Sequence, residues 1–251
     1  MKKISLPEIT FSTVMVYLIL TWAIIFLIDV ENIFCIRDYI VEDMQLNRPF
    51  VWHYLYVEGG ITEMLQWILI GFSALCSAYI SGTEQDTDKK RFWLLIGILS
   101  IIMLIEDTGN PRHYFRYTFV EYFSIHPIFV TGLYYFLIGL IPIYAIFKYG
   151  YILKSNIKTV GYLIIFFSFY FIATFTSATG ETGWREEYGN KIYGWIANRA
   201  PDMEYIYLHT EGWKIMDYLI EESLELVGAG ALLAMVIAWL ESKKEPHIGT
   251  H

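Results

Sequence analysis

Residues 213–242 read WKIMDYLIEESLELVGAGALLAMVIAWLES. The second half, from Leu226 to Leu240, is an unbroken apolar run. The first half continues it but carries Asp217, Glu221, Glu222 and Glu225. A helix crossing the hydrocarbon core of a bilayer needs roughly 20 predominantly apolar residues, and this stretch supplies them. Inside the bilayer only helices or closed barrels satisfy the backbone, and an apolar run without alternating polar positions predicts a helix. The carboxylates are therefore expected on a membrane helix.

The same pattern recurs outward from this stretch. Apolar segments near residues 11–30, 63–82, 92–106, 127–147 and 159–178 have the required character, the third being completed by residues around Lys90 or Thr108. With the last segment, near 213–240, they predict an all-α, polytopic membrane bundle of about six transmembrane helices, forming a single membrane domain over 1–251. The composition agrees. Hydrophobic residues make up 55% of the 251, charged residues only 18%, and mean hydropathy is +0.41. No soluble fold of this size has a core that could hide so much apolar sequence. The net charge of −8 excludes a basic nucleic-acid footprint, so no nucleic-acid partner is expected. Lys2 and Lys3 before the first run resemble a signal sequence, but the run continues to Asp29 without an Ala-x-Ala cleavage pattern. It is read as a retained span.

Basic residues orient the spans. Lys2, Lys3, Lys89, Lys90, Arg91, Lys148, Lys154, Lys158, Lys243 and Lys244 fall in short segments on one side, and the other eight are spread over longer connections at 31–62, 107–126 and 179–212 and, for Lys214, the adjoining start of the last span. Both termini are expected in the cytoplasm, in the inner membrane of a bacterium. Of the 26 acidic residues, 20 then fall in the outer connections or outer parts of the spans, and six do not: Glu8, Glu84, Asp86, Asp88, Glu241 and Glu245. The polar chemistry points outward.

A carboxylate at a helix centre costs about 2.5–3.5 kcal/mol on an insertion scale, so it normally faces a cavity or a partner. Asp217, Glu221 and Glu225 are spaced i, i+4, i+8 and should stack on one helical face, with Glu222 beside them. Three like charges require a cation, an arginine or protons in compensation. Glu58 and Glu63 flank Gly59-Gly60 at the start of the second span, where a helix N-terminus also favours an anion. Glu106-Asp107 closes the third span, an electrostatically disfavoured position, and Arg112 and Arg116 are its candidate counter-charges or anchors for an anionic headgroup. His209 stands four residues before Trp213, at the mouth of the acidic helix. His53, His113 and His126 are read as surface residues. Carboxylates and a histidine arriving from several helices form the donor set of a divalent-metal site, with Glu58, Glu63, Glu221, Glu225 and His209 as ligands. They equally suit acid/base catalysis by Glu106, Asp107, Glu222 and His209. The chain contains no HExxH and no glycine-rich phosphate loop. Aromatics near span ends, including Tyr54, Tyr56, Trp67, Trp93, Trp184, Trp195 and Trp213, suggest an interfacial belt. Cys35 and Cys76 form no metal or disulfide pattern.

These motifs resemble a loose group of bacterial inner-membrane proteins of unknown function. That group carries an acidic-Gly-x-x-Glu opening to an early span, a Glu-Glu-(x)n-Arg segment ending a middle span, and Leu-His-Asn before a final acidic span. The counterparts here are Glu58, Gly60 and Glu63; Glu106, Asp107 and Arg112; Leu208 and His209; and Glu221, Glu222 and Glu225. Asp107 replaces a glutamate, the Trp-Gly-Gln part of the middle motif is missing, and Thr210 stands where Asn is expected. The resemblance implies that these positions form one site and supplies no activity. Glu106-Asp107 and Arg112 are also similar in order to the Glu-Glu-x-x-x-Arg motif of prenyl-protein endopeptidase-like enzymes, without their FxxxH and HxxxN helices. Alkaline-ceramidase-like hydrolases share acidic residues and histidines in a bundle, but their paired histidines on one helix are absent here. Three functions stay open: a metal or acid/base site acting on a lipid-like or membrane-embedded substrate, a cation- or proton-coupled transporter, and a non-catalytic subunit with membrane-protein partners.

Overall fold

The computed structural model describes residues 5–42, 51–179, 183–199 and 212–243. Among them every regular element is a helix, in the order α1 (Leu6–Ile25), a π-helical turn (Phe26–Val30), a 3-10 turn (Ile33–Cys35), α2 (Ile36–Glu42), α3 (Val51–Tyr56), α4 (Ile61–Thr83), α5 (Thr87–Gly109), α6 (Pro111–Phe123), α7 (Pro127–Tyr149), a 3-10 turn (Gly150–Ser155), α8 (Ile157–Ala178), α9 (Trp184–Arg199), α10 (Gly212–Lys214), a second π segment (Ile215–Glu221) and α11 (Glu222–Ser242). The all-α expectation holds. Six stretches are long and apolar enough to cross a membrane: Leu6–Val30, Val51–Thr83, Thr87–Gly109, Pro127–Ser155, Ile157–Ala178 and Gly212–Ser242. Each contains one of the six apolar segments read from the sequence, so the chain has the make-up of an integral, multi-pass membrane protein. The third span is completed at both ends, because Asp86 accepts the N–H groups of Asp88 and Lys89 and caps α5 before Thr87. Those bonds hold the Asp86 carboxyl below its usual range.

Among the described residues, the longer connections between spans contain helices of their own, α2, α6 and α9. α6 starts with Pro111 at its first position, after Asn110 in the left-handed region, which is where a proline is tolerated. α9 buries Arg185, Gly189, Tyr193 and Ile196, a stripe at helical spacing that a hydrophobicity reading does not see.

The chain divides into two compact units. The first comprises residues 1–12, 66–171 and 227–251. Here α7 packs on α5 and α6. The small residues of α11 permit close approach: a Cβ on Gly228 would lie 2.3 Å from the Tyr170 ring. Trp93, fully buried, stacks at 5.5 Å on Trp239, whose indole N–H donates to Glu84. Asn156 donates to the Ala238 carbonyl at 3.0 Å, and Lys158 pairs with Glu8 at 2.9 Å.

The second unit comprises residues 13–65 and 172–226. Its apolar centre is Ile25, Val30, Trp52, Tyr56, Tyr193, Ile196, Ile215 and Leu219. α3 and α9 each pack against both π segments. Tyr56 and Trp93, read as belt aromatics, are instead core residues of their respective units, whereas Tyr54, Trp195 and Trp213 are exposed. The difference follows from helix phase: a position near a span end faces inward or outward according to its place on the helical wheel.

Candidate functional site

The last span is interrupted where its carboxylates stand. Ile215–Glu221 adopts a π-helix, so Asp217 and Glu221 leave the ideal α-helical register that their spacing implies, and α geometry resumes at Glu222. Such segments are uncommon and frequently mark functional positions. The side chain that compensates them is Arg185 of α9. Its guanidinium donates to the carboxylates of both Asp217 and Glu221. The Arg185 and Glu221 side chains are each 9% exposed, and that of Asp217 is 29%. A planar guanidinium with five donors suits this bridging role, which a lysine ammonium would fill poorly.

Gly189 explains how Arg185 arrives there. A Cβ on Gly189 would sit 1.7 Å from the carbonyl oxygen of Gly212, so only glycine lets α9 approach the start of the last span this closely. On the neighbouring turn, Lys191 donates to Glu187 at 2.7 Å. That bond holds the Glu187 carboxyl below its usual range and raises the Lys191 ammonium. From α3, the His53 ring lies 6.1 Å from Tyr218, the residue after Asp217, and Tyr218 lies 6.0 Å from Trp213.

A second buried carboxylate belongs to the other π turn. Asp29 is fully buried and accepts the N–H groups of Val51 at 2.7 Å and Trp52 at 2.9 Å, at the start of α3. Arg37, also buried, donates to the Asp29 main-chain carbonyl at 2.8 Å. Elsewhere in the unit polar groups pair across helices: Tyr17 with Thr62 at 2.9 Å, Thr21 with Tyr56 at 2.8 Å, and Trp22 with Ser223 at 3.1 Å. Unit 2 thus contains a network of hydrogen-bonded polar residues within apolar spans.

The remaining predicted positions do other things. Glu63, buried in the first turn of α4, accepts the N–H of Gly59 and closes the helix start, while Glu58 is exposed. Gly59 itself has φ +75, a conformation glycine adopts at little cost. In unit 1, Glu106 accepts from Tyr134 at 2.8 Å and meets Arg112 at 3.7 Å, and Arg112 also donates to Tyr135. Asp107 accepts from Gln66 at 2.8 Å. These bonds tie α4, α5, α6 and α7 together. Arg116 lies 5.3 Å over the Tyr117 ring. Glu222 and Glu225 are half-buried on the first turns of α11. His209 and Leu208 lie outside the described residues. Among the described residues, no group of three or more His, Cys, Asp or Glu side chains is arranged to hold a metal ion.

Sequence reasoning named Asp217 and Glu221 as charges that need compensation but not Arg185 as their partner, and it left His53 as surface. Asp29 carried a signal, as the one carboxylate in the apolar run that ends the first span. Arg185 carried none that distinguishes it from the chain's other arginines. No protein family, curated protein or solved structure matches the chain.

Proposed function

We propose that this integral membrane protein carries a buried acid/base site in unit 2, acting on a lipid-like or membrane-embedded substrate. The observation that carries the reading is the Arg185–Asp217–Glu221 cluster, held on a π-helical interruption of an otherwise apolar span. Ionisable side chains in such a span are expensive and characteristically functional. Glu221 and His53 are the groups suited to proton transfer. Asp217 and Arg185 hold Glu221 in place, and Tyr218 lies beside His53 as a ring against which an apolar substrate would pack. The density of basic residues supports cytoplasmic termini and an outward-facing site in a bacterial inner membrane. The motif resemblance supports grouping with that set of bacterial proteins. Native mass spectrometry of the protein released from detergent tests the reading. A bound amphiphile retained by the wild type and lost in Glu221→Gln, under conditions where the variant remains folded, is expected. Identical spectra for the two proteins would overturn it.

A second reading, a non-catalytic subunit of a membrane complex, is favoured by Glu63, Glu106 and Asp107, each engaged by donors of its own chain as a structural group is. Stoichiometric co-purification of another membrane protein, unaffected by Glu221→Gln, would favour it.

A further inference from the structure

The helix α6 between the third and fourth apolar spans is 13 residues, about 20 Å long at 1.5 Å per residue, too short to cross a bilayer of roughly 30 Å. None of its residues is buried, and six of the 13 are aromatic. Phe115, Phe119 and Phe123 stack along the helix with centroids 4.4 and 5.3 Å apart, and Phe115 also meets Tyr134 of α7 at 5.6 Å. Phe115 and Phe119, both half-buried, mark the side of α6 that faces the protein, while Phe123 is 63% exposed. The adjoining, exposed arc presents Tyr114, Tyr117 and Tyr122, which are 76%, 62% and 76% exposed, with Thr118 and Glu121 between them. At 3.6 residues per turn these five positions share one side of the helix.

A tyrosine ring exposed to this degree is poorly placed in bulk water and equally poorly in hydrocarbon. It is suited to the boundary where the ring meets acyl chains and the hydroxyl meets headgroups and water. Position in the chain points the same way. α5 ends at Gly109 and α7 begins at Pro127, so α6 is tied at both ends to membrane-crossing helices, and it packs on both of them. Its surface is continuous with theirs. We infer that α6 is an interfacial helix whose Tyr114–Tyr117–Tyr122 face docks into the headgroup–acyl boundary of the bilayer. A helix seated there fixes the depth of α5 and α7, whose ends it joins through the Glu106–Arg112–Tyr135 contacts.

Nitroxide labels on single cysteines test this, in a background with Cys35→Ser and Cys76→Ala and with the full chain in liposomes. Tyr114→Cys, Tyr117→Cys and Tyr122→Cys are compared with Gln85→Cys, exposed in the turn between α4 and α5, and Phe136→Cys, exposed in the middle of α7. Accessibility to oxygen relative to a water-soluble nickel chelate should be about threefold higher at the α6 positions than at Gln85, and lower than at Phe136. A ratio equal to that of Gln85 would overturn the inference, because the face would then be in water. Exclusion of both reagents would also overturn it, because the face would then be covered by protein. Footprinting of the unmodified chain by a lipid-partitioned carbene reagent needs no variant. It should label the 111–123 segment, and absence of label there would count against the inference.

Discussion

Removing the Arg185 guanidinium should be among the most damaging single changes to unit 2. In Arg185→Met the stem of the side chain is kept, while Asp217 and Glu221 lose the donor they share. Stranding a buried charge by deleting its partner costs about 3–5 kcal/mol. Glu221, whose side chain is 9% exposed, should contribute most of that. Asp217 is 29% exposed and screened by solvent, so its share should be nearer the ~1 kcal/mol of a surface pair. The expected loss is roughly 4 kcal/mol, or about a thousandfold in the unfolding equilibrium. Denaturant unfolding in mixed lipid–detergent micelles, followed by tryptophan fluorescence, measures it. The diagnostic variant is the triple Arg185→Met/Asp217→Asn/Glu221→Gln, which removes donor and charges together. It should recover to within about 1 kcal/mol of wild type, because the penalty arises from uncompensated charge and not from lost volume. Arg185→Lys should fall between, since an ammonium lacks the planar fork. A single Arg185→Met within about 0.5 kcal/mol of wild type, or a triple variant as unstable as the single, would refute the reasoning.

Asp29→Ala removes the acceptor of the Val51 and Trp52 N–H groups and should lower stability by about 1–3 kcal/mol, with Asp29→Asn milder, as read by thermal melting. Gly189→Ala should prevent α9 from docking on Gly212 and yield a protein that melts early. Gly132→Ala and Gly139→Ala in α7, where a Cβ meets nothing within 4 Å, should be neutral or stabilising by up to about 1 kcal/mol. Glu187 and Asp86 have carboxyls held below their ordinary values, so the folded state binds protons less readily there than the unfolded chain does. Their contribution is present at neutral pH and is lost as pH falls through about 4 towards the folded value. Glu187→Gln and Asp86→Asn should therefore lessen the acid sensitivity of the melting temperature, and unchanged pH profiles would contradict the assignment.

The spans were legible because a membrane helix announces itself through an uninterrupted apolar run, a property of composition that needs no partner. α9 was not legible for the opposite reason. Its inward stripe of Arg185, Gly189, Tyr193 and Ile196 mixes a charge, a bare backbone and an aromatic, and only the packing that receives it makes it a stripe. The need for an arginine near Asp217 and Glu221 followed from like-charge repulsion. Its identity depended on a close approach at Gly189 and Gly212, residues 23 positions apart in a chain with 18 lysines and arginines. The π geometry of Ile215–Glu221 was hidden because α-helical spacing was the natural assumption for a continuous span. Glu106 and Asp107 were recognised as needing partners. Tyr134 and Gln66 supply the partners alongside Arg112, and those two come from other helices with no spacing to announce them.

The central claim, that Glu221 performs chemistry in unit 2, is tested most directly by lipid mass spectrometry. Purified protein is incubated in liposomes of total host-membrane lipid, with Glu221→Gln and protein-free liposomes as controls. The account predicts a lipid-soluble species that is consumed or produced over time by the wild type only. Lipid profiles that stay the same for wild type, Glu221→Gln and empty liposomes would contradict it.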